Sequence, residues 1–258
     1  MIINLILKLR LIIGLLILMT VWQAVALAEL VNPKYFPRID AIVVAFRDMI
    51  AEDNLLEAAQ LTFSRAFMGL IGASALGIGL AILSEVLPWF RLGFRVIANV
   101  LLPIPPAALV PMAIFMLGLG PELYAFIILM VAVWPPFLNG VAALHGTNDV
   151  QLRTARMLGC TDWQTLWQVR LPAAMPEIFA GIRYAATICL IAAIVCEMLA
   201  GRDGLGFMLF KKAFGQRIPD VFALMFLCAL MGAVLNGATN FARHWVTGWN
   251  LKMQEVAR

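Results

Sequence analysis

A chain of 258 residues with 63% apolar and only 13% charged side chains, and a mean hydropathy of +0.92, is too greasy for a water-soluble domain. Its formal charge of +4 follows loop positions, which indicates membrane topology and argues against nucleic-acid binding. Cys160, Cys189, Cys196 and Cys228 form no CxxC pair or metal-ligand spacing and read as small apolar filler.

A membrane-spanning helix needs roughly 20 mostly apolar residues. Six stretches qualify: 9–30, 58–82, 96–118, 121–143, 178–200 and 221–243. They predict an all-α polytopic membrane protein, a single transmembrane domain over 1–258. An even number of spans puts both termini on one side. With the termini inside, the inner segments, taken with Arg10, Arg183 and Arg243 in the adjoining span ends, hold 11 of the 19 basic residues and 5 of the 15 acids, the bias of cytoplasmic loops. Lys8 and Arg10, an apolar run and then Ala24-Val25-Ala26-Leu27-Ala28 also resemble a cleavable signal peptide. The run is longer than an ordinary signal core, which favours an uncleaved first span.

Next in the chain, Ile39, Ile42, Val43, Phe46 and Ile50 fall at helical spacing and predict an amphipathic helix at the outer interface. The second span carries Ala73 with Gly77 and Ala75 with Gly79, small pairs suited to close helix packing in lipid. Arg65 near its outer end is expected to snorkel and is assigned no chemistry. The stretch LLPIPPAALVP brings four prolines into a membrane segment. Irregular backbone at that depth is tolerated when shielded by protein or lining a wet cavity, so Pro105 and Pro106 are candidates for a conduit wall, with a packed kink as the alternative. The same pair of readings holds for Trp134-Pro135-Pro136, with Trp134 and Asn139 as path candidates.

The polar interruption at 149–172, DVQLRTARMLGCTDWQTLWQVRLP, stands between long apolar runs. Asn148 or Asp149 can cap a short helix, Gly159 can end it in a left-handed turn, and Thr161 with Gln164 makes a capping box for a second helix. Pro172 is expected to stop that second helix. Ala155 and Gly159, four apart, give the first helix a bare face for close approach to another protein, while Arg153 and Arg156 reach outward.

These residues resemble the signature loop of permease subunits of bacterial ATP-binding cassette (ABC) importers. That loop runs Glu-Ala-Ala, three residues, Gly, nine residues, Ile, one residue, Leu-Pro. Arg153, Thr154, Ala155, Gly159, Val169, Leu171 and Pro172 fall on it without a gap. Ala155, Gly159, Leu171 and Pro172 are identical, Val169 is a conservative change, and Arg153 and Thr154 depart from it. The Pro-Ile-Pro-Pro segment is similar to that of the taurine, aliphatic sulfonate, nitrate and thiamine-precursor branch, with Leu102 where a basic residue usually stands. That branch also shows Glu, Met and a later Gly-Leu-Gly-Phe, matched here by Glu197, Met198 and Gly204-Leu205-Gly206-Phe207.

Glu197 is the one acid near the core of the last two spans, and an ionisable group there is a functional candidate. Pairing with Arg202 or capping the turn is the plain alternative. The glycines after it are expected to allow tight turns near an outer gate or a docked binding protein. The sixth span has Ala229, Ala233 and Gly237 four apart, a small-residue packing face, with Asn236 and Asn240 beside it. His145 and His244 stand beside the membrane without partners at metal-ligand spacing.

No Gly-x-x-x-x-Gly-Lys-Ser/Thr phosphate loop is present, and the spans carry too few ionisable groups for an ion-coupled relay, so the driving energy is expected from outside the chain. The resemblance implies a type I ABC importer permease-like fold, non-catalytic, in the bacterial inner membrane. It implies that 149–172 is a coupling loop docking a cytoplasmic ABC ATPase dimer through Arg153, Thr154, Ala155, Arg156, Gly159, Cys160, Trp163, Val169, Leu171 and Pro172. Further implied partners are a second permease copy or paralogue, a periplasmic or extracellular solute-binding protein and membrane lipid. ATP and magnesium belong to the ATPase, and this chain holds no cofactor. Path candidates are Pro105, Pro106, Trp134, Asn139, Glu197 and Met198. A channel or scaffold whose cytoplasmic helices bind a structural partner is the alternative.

Overall fold

The computed structural model describes residues 2–256, and every regular element among them is helical. In chain order these are α1 (Ile2–Leu27), α2 (Ile39–Glu52), α3 (Leu55–Val86), α4 (Pro88–Leu101), α5 (Pro106–Leu117), α6 (Pro121–Ala132), α7 (Trp134–His145), α8 (Asp149–Met157), α9 (Asp162–Thr165), a π-turn (Leu166–Arg170), α10 (Leu171–Ala200), α11 (Gly204–Phe214) and α12 (Ile218–Val256).

Among the described residues, four helical stretches are long and apolar enough to cross a bilayer: Leu55–Val86, Pro121–His145, Asp162–Ala200 and Ile218–Gly248. The expected span at 96–118 is instead broken, with Leu92–Leu101 and Pro106–Leu117 meeting at 102°. Proline chemistry explains the break: Pro103, Pro105 and Pro106 offer no N–H, and Pro105 is extended at φ −62°, ψ 135°. The 12-residue α5 is about 18 Å long, short of the roughly 30 Å hydrocarbon core. Among the described residues the expected six spans are matched by four, or by five if the bent pair counts as one. The 9–30 expectation overlaps α1, which ends at Leu27; there Leu16–Leu27 forms a shorter apolar helix, and several side chains before it lie outside the described residues.

α10 forms the centre, packed against α3, α5, α6, α7, α11 and α12. Small residues set its closest approaches. A Cβ on Gly77 would lie 2.6 Å from the Val133 carbonyl, and one on Gly181 would lie 2.8 Å from that of Pro135. α3 and α10 therefore close on the α6–α7 step from two sides, at a spacing only glycine permits. Side-chain donors knit the same step: Trp134 Nε1 donates to the Met130 carbonyl at 2.7 Å, and Asn139 Nδ2 donates to that of Pro135 at 2.9 Å.

Of the expected small-residue faces, Ala73 and Gly77 are buried, whereas Ala75 and Gly79 are exposed. Ala229, Ala233 and Gly237 are exposed as well, so the packing face expected on the sixth span is uncovered within this chain. The amphipathic α2 buries Ile42, Ala45 and Met49, leaving Val43 and Ile50 outside. Trp22 of α1 stacks on Phe36 with ring centres 4.4 Å apart and meets Phe222 of α12 edge-on, joining the end of α1 to the start of α12.

Candidate functional site

The polar loop folds from its local signals. Asn148 accepts from the Val150 N–H at 2.8 Å and caps α8. Gly159 ends α8 at φ +79°, a conformation L side chains rarely adopt. Thr161 and Gln164 form the reciprocal box that opens α9, at 2.9 and 3.2 Å.

Two expectations for this loop are corrected. Pro172 does not stop a helix, because helix runs from Asp162 to Ala200 without a break. The chain widens into the π-turn, where the Leu171 N–H reaches back to the Leu166 carbonyl, and Pro172 then sits in the first turn of α10, where its missing donor costs little. Ala155 is 4% exposed, so its bare face packs inward against the protein's own chain. Its close approach is intramolecular. Gly159 remains on the open side with nothing within 4 Å of a Cβ.

What the loop turns outward is different. Arg153, Thr154 and Arg156 are exposed, and between and beyond them lie Met157 (87% exposed), Leu158 (77%), Trp163 (60%) and Trp167 (44%). The two indoles meet near edge-on with centres 5.6 Å apart. Cys160, Val169, Leu171 and Pro172 are half-buried beneath. Met157, Leu158 and Trp167 were missed in the sequence; the available signal was apolar residues inside an otherwise polar, capped helix pair.

The opposite end of the bundle holds a second polar cluster. Glu197 is fully buried, and Arg65 Nη1 donates to its Oε1 at 2.8 Å. Its Oε2 accepts from the Gly206 N–H at 3.0 Å and from the Thr62 hydroxyl at 2.8 Å, while that hydroxyl accepts from the Leu205 N–H at 2.9 Å. Arg65 also bonds Asp203 at 2.8 Å and lies over the Tyr124 ring, 3.9 Å from its centre. Arg65, expected to snorkel idly, thus joins α3, α6, α10 and the loop before α11. Glu197 pairs with it and not with Arg202.

This cluster also accounts for the glycines. A Cβ on Gly201 would come within 2.4 Å of the Glu197 carbonyl, one on Gly204 within 2.3 Å of the Glu197 carboxyl carbon, and one on Gly206 within 2.2 Å of the Ile194 carbonyl. The loop backbone is drawn onto Glu197 so closely that no side chain fits between.

The path candidates differ in exposure. Trp134 and Glu197 are buried within the chain, Asn139 and Met198 are half-buried, and Pro105 is exposed at the α4–α5 break next to half-buried Pro106.

A family model described as the binding-protein-dependent transport system inner membrane component matches residues 73–248, more than half of the chain. The chain belongs to that family. The match takes in the loop, the α6–α7 step and Glu197, and begins after Arg65. This transport component is 27% identical over 239 residues to a putative ABC transporter permease protein of Methanocaldococcus jannaschii, covering 91% of this chain and 89% of that one. It is 25% identical over 243 residues to the taurine transport system permease protein of Escherichia coli, covering 92% and 88%. A putative aliphatic sulfonates transport permease protein of Bacillus subtilis is 24% identical over 233 residues, covering 90% and 84%. Among solved structures, the inward-facing MetNI methionine ABC transporter superposes with a TM-score of 0.64 at 16% identity, covering 75% of this chain and 96% of that one, which establishes a shared fold. The component is a membrane-embedded permease subunit of a binding-protein-dependent ABC importer.

Proposed function

We propose that this permease docks a cytoplasmic ABC ATPase dimer through 149–172 and carries a small solute across the inner membrane. One observation carries the docking: Met157, Leu158, Trp163 and Trp167 stand exposed on a rigidly capped pair of helices, interleaved with the exposed charge of Arg153 and Arg156. Apolar anchors within a charged rim match the anatomy of a protein interface. Both termini are cytoplasmic in this reading, in keeping with the basic bias of the inner segments.

A second permease copy or paralogue covers the exposed row Ala229, Ala233 and Gly237, and a solute-binding protein delivers cargo to the opposite face. The conduit follows the broken α4–α5 segment, with Pro105 and Pro106 on its wall and Met198 nearer the outer end. Hydrolysis, with its ATP and magnesium, belongs to the ATPase, and this chain is non-catalytic. The cargo class is a small anion or polar organic solute, as in the taurine and aliphatic sulfonate relatives.

Gly159→Glu tests the reading. The variant inserts normally but loses ATPase co-purification and ATP-driven uptake in proteoliposomes. Normal assembly and uptake by that variant contradict the docking role, and solute flux without ATP favours a channel.

A further inference from the structure

Below the loop, three side chains from three elements converge. Glu85 lies in the last turn of α3 with its side chain 12% exposed, and its Oε1 pairs with Arg170 Nη1 at the end of the π-turn. Its Oε2 lies 3.1 Å from Nδ1 of His145, the last residue of α7. That ring nitrogen is also 3.2 Å from the Val141 carbonyl, and with one proton at most it serves the carbonyl or the carboxylate. A cavity of about 490 Å³ separates this cluster from α8 and α9, lined in part by Glu85, Leu152, Arg156, Trp163, Leu166 and Arg170.

The covalent routes out of the loop are unequal. α9 runs through the π-turn into α10, so a load on α9 passes directly along α10. α3 has no such connection, because α4 to α7 intervene in the chain. Among the described residues, its ion pair to the loop segment is the one made by Glu85. About 30 Å along the same helix, toward its opposite end, stands Arg65, which holds Glu197 and Asp203. α3 has 32 residues and is about 48 Å long, a stiff rod tied by charge in its last turn at Glu85 and again at Arg65.

We infer that Glu85 is a positioning residue for transport: through Arg170 it couples movement of the ATPase-docking loop to α3, and α3 carries that movement to the Arg65 cluster at the opposite face. The inference rests on the docking role of 149–172. A half-buried charge pair suits the task, since it holds a defined geometry and resists separation more steeply than an apolar contact.

The test reads movement at the far end. Arg202 is exposed beside Asp203 and, among the described residues, makes no ion pair. Arg202→Cys is reconstituted with the co-purifying ATPase and labelled from outside with a membrane-impermeant maleimide, with and without ATP and vanadate, and the rate is read against the parent chain carrying only its native cysteines. The wild-type pair gives a labelling rate that changes with nucleotide. Glu85→Gln and Arg170→Gln each lose that change while still retaining the ATPase, and the charge-exchanged Glu85→Arg/Arg170→Glu variant regains it. A nucleotide-dependent change that persists in Glu85→Gln overturns the inference, as does an exchanged variant no better than the single ones. Failure of the wild-type chain to retain any ATPase overturns the docking reading itself, and this inference with it.

Discussion

Arg65 and Glu197, 132 residues apart in sequence, meet in a 2.8 Å ion pair in which the carboxylate is fully buried. The guanidinium is also held by Asp203 and the face of Tyr124, so the charge of Glu197 is balanced by a group that is itself fixed. Removing one partner of such a pair strands the other in a low-dielectric interior.

Arg65→Ala is therefore expected to destabilise the protein by about 3–5 kcal/mol, the range for breaking a buried pair. Thermal or denaturant unfolding in detergent measures it. In a double-mutant cycle, Glu197→Gln added to Arg65→Ala costs much less than the sum of the single changes. Additive effects count against the pair.

The glycine loop gives a second contrast. Gly204, at φ +86° and pressed on the Glu197 carboxyl group, has no room for a methyl, whereas Gly237 of α12 has nothing within 4 Å of a Cβ. Gly204→Ala is expected to cost about 1–3 kcal/mol from overpacking alone, and Gly237→Ala to stay within about 0.5 kcal/mol in the isolated subunit. Monodispersity after purification, together with unfolding midpoints, compares them.

Much of the loop was legible in the sequence because caps are local. Asn148, Gly159, Thr161 and Gln164 each act within three or four residues, and each forms the predicted contact. The fate of Pro172 was not legible, since a π-turn that absorbs a missing donor leaves no compositional mark. Tertiary context decided the rest. Arg65 and Glu85 each find carboxylate or guanidinium partners more than 80 residues away, and no periodicity reports such a meeting. An arginine inside an apolar span was nonetheless a signal, because lipid rarely tolerates one without a partner. The bend at 102–105 was foreshadowed by its prolines, but its size of 102° depended on how the two limbs pack.

On the loop, Met157→Ala with Leu158→Ala is expected to leave the fold intact, since both side chains are largely exposed. If they anchor the ATPase, affinity falls about 5- to 30-fold per 1–2 kcal/mol lost. Titration of the purified ATPase onto the detergent-solubilised subunit measures this. Ala155→Leu, by contrast, is expected to lower the stability of the subunit itself, because Ala155 is buried within it.

The Lys212 ammonium bonds Asp53 at 2.6 Å and Asp220 at 3.0 Å, outside the spans. Burial pushes the Lys212 ammonium toward its neutral form, but the bonds to Asp53 and Asp220 outweigh this and hold it above its ordinary 10.5. The same bond from Lys212 draws the Asp53 carboxyl below its ordinary 3.8. The Asp53 contribution is therefore complete above pH 3.8 and fades as pH falls through its lower folded value. The Lys212 contribution is complete below pH 10.5 and fades as pH rises through its higher folded value. The stability difference between wild type and Lys212→Met is expected to be flat from about pH 5 to 9 and to shrink outside those limits. A difference that changes through neutrality contradicts this assignment.

The docking role of the loop is tested most directly by a photo-crosslinking amino acid in place of Met157, the most exposed apolar residue of α8. After irradiation of native membranes, the account predicts a crosslinked product containing this subunit and an ABC ATPase, diminished by Gly159→Glu. Crosslinking only to lipid, or only within the permease, contradicts it.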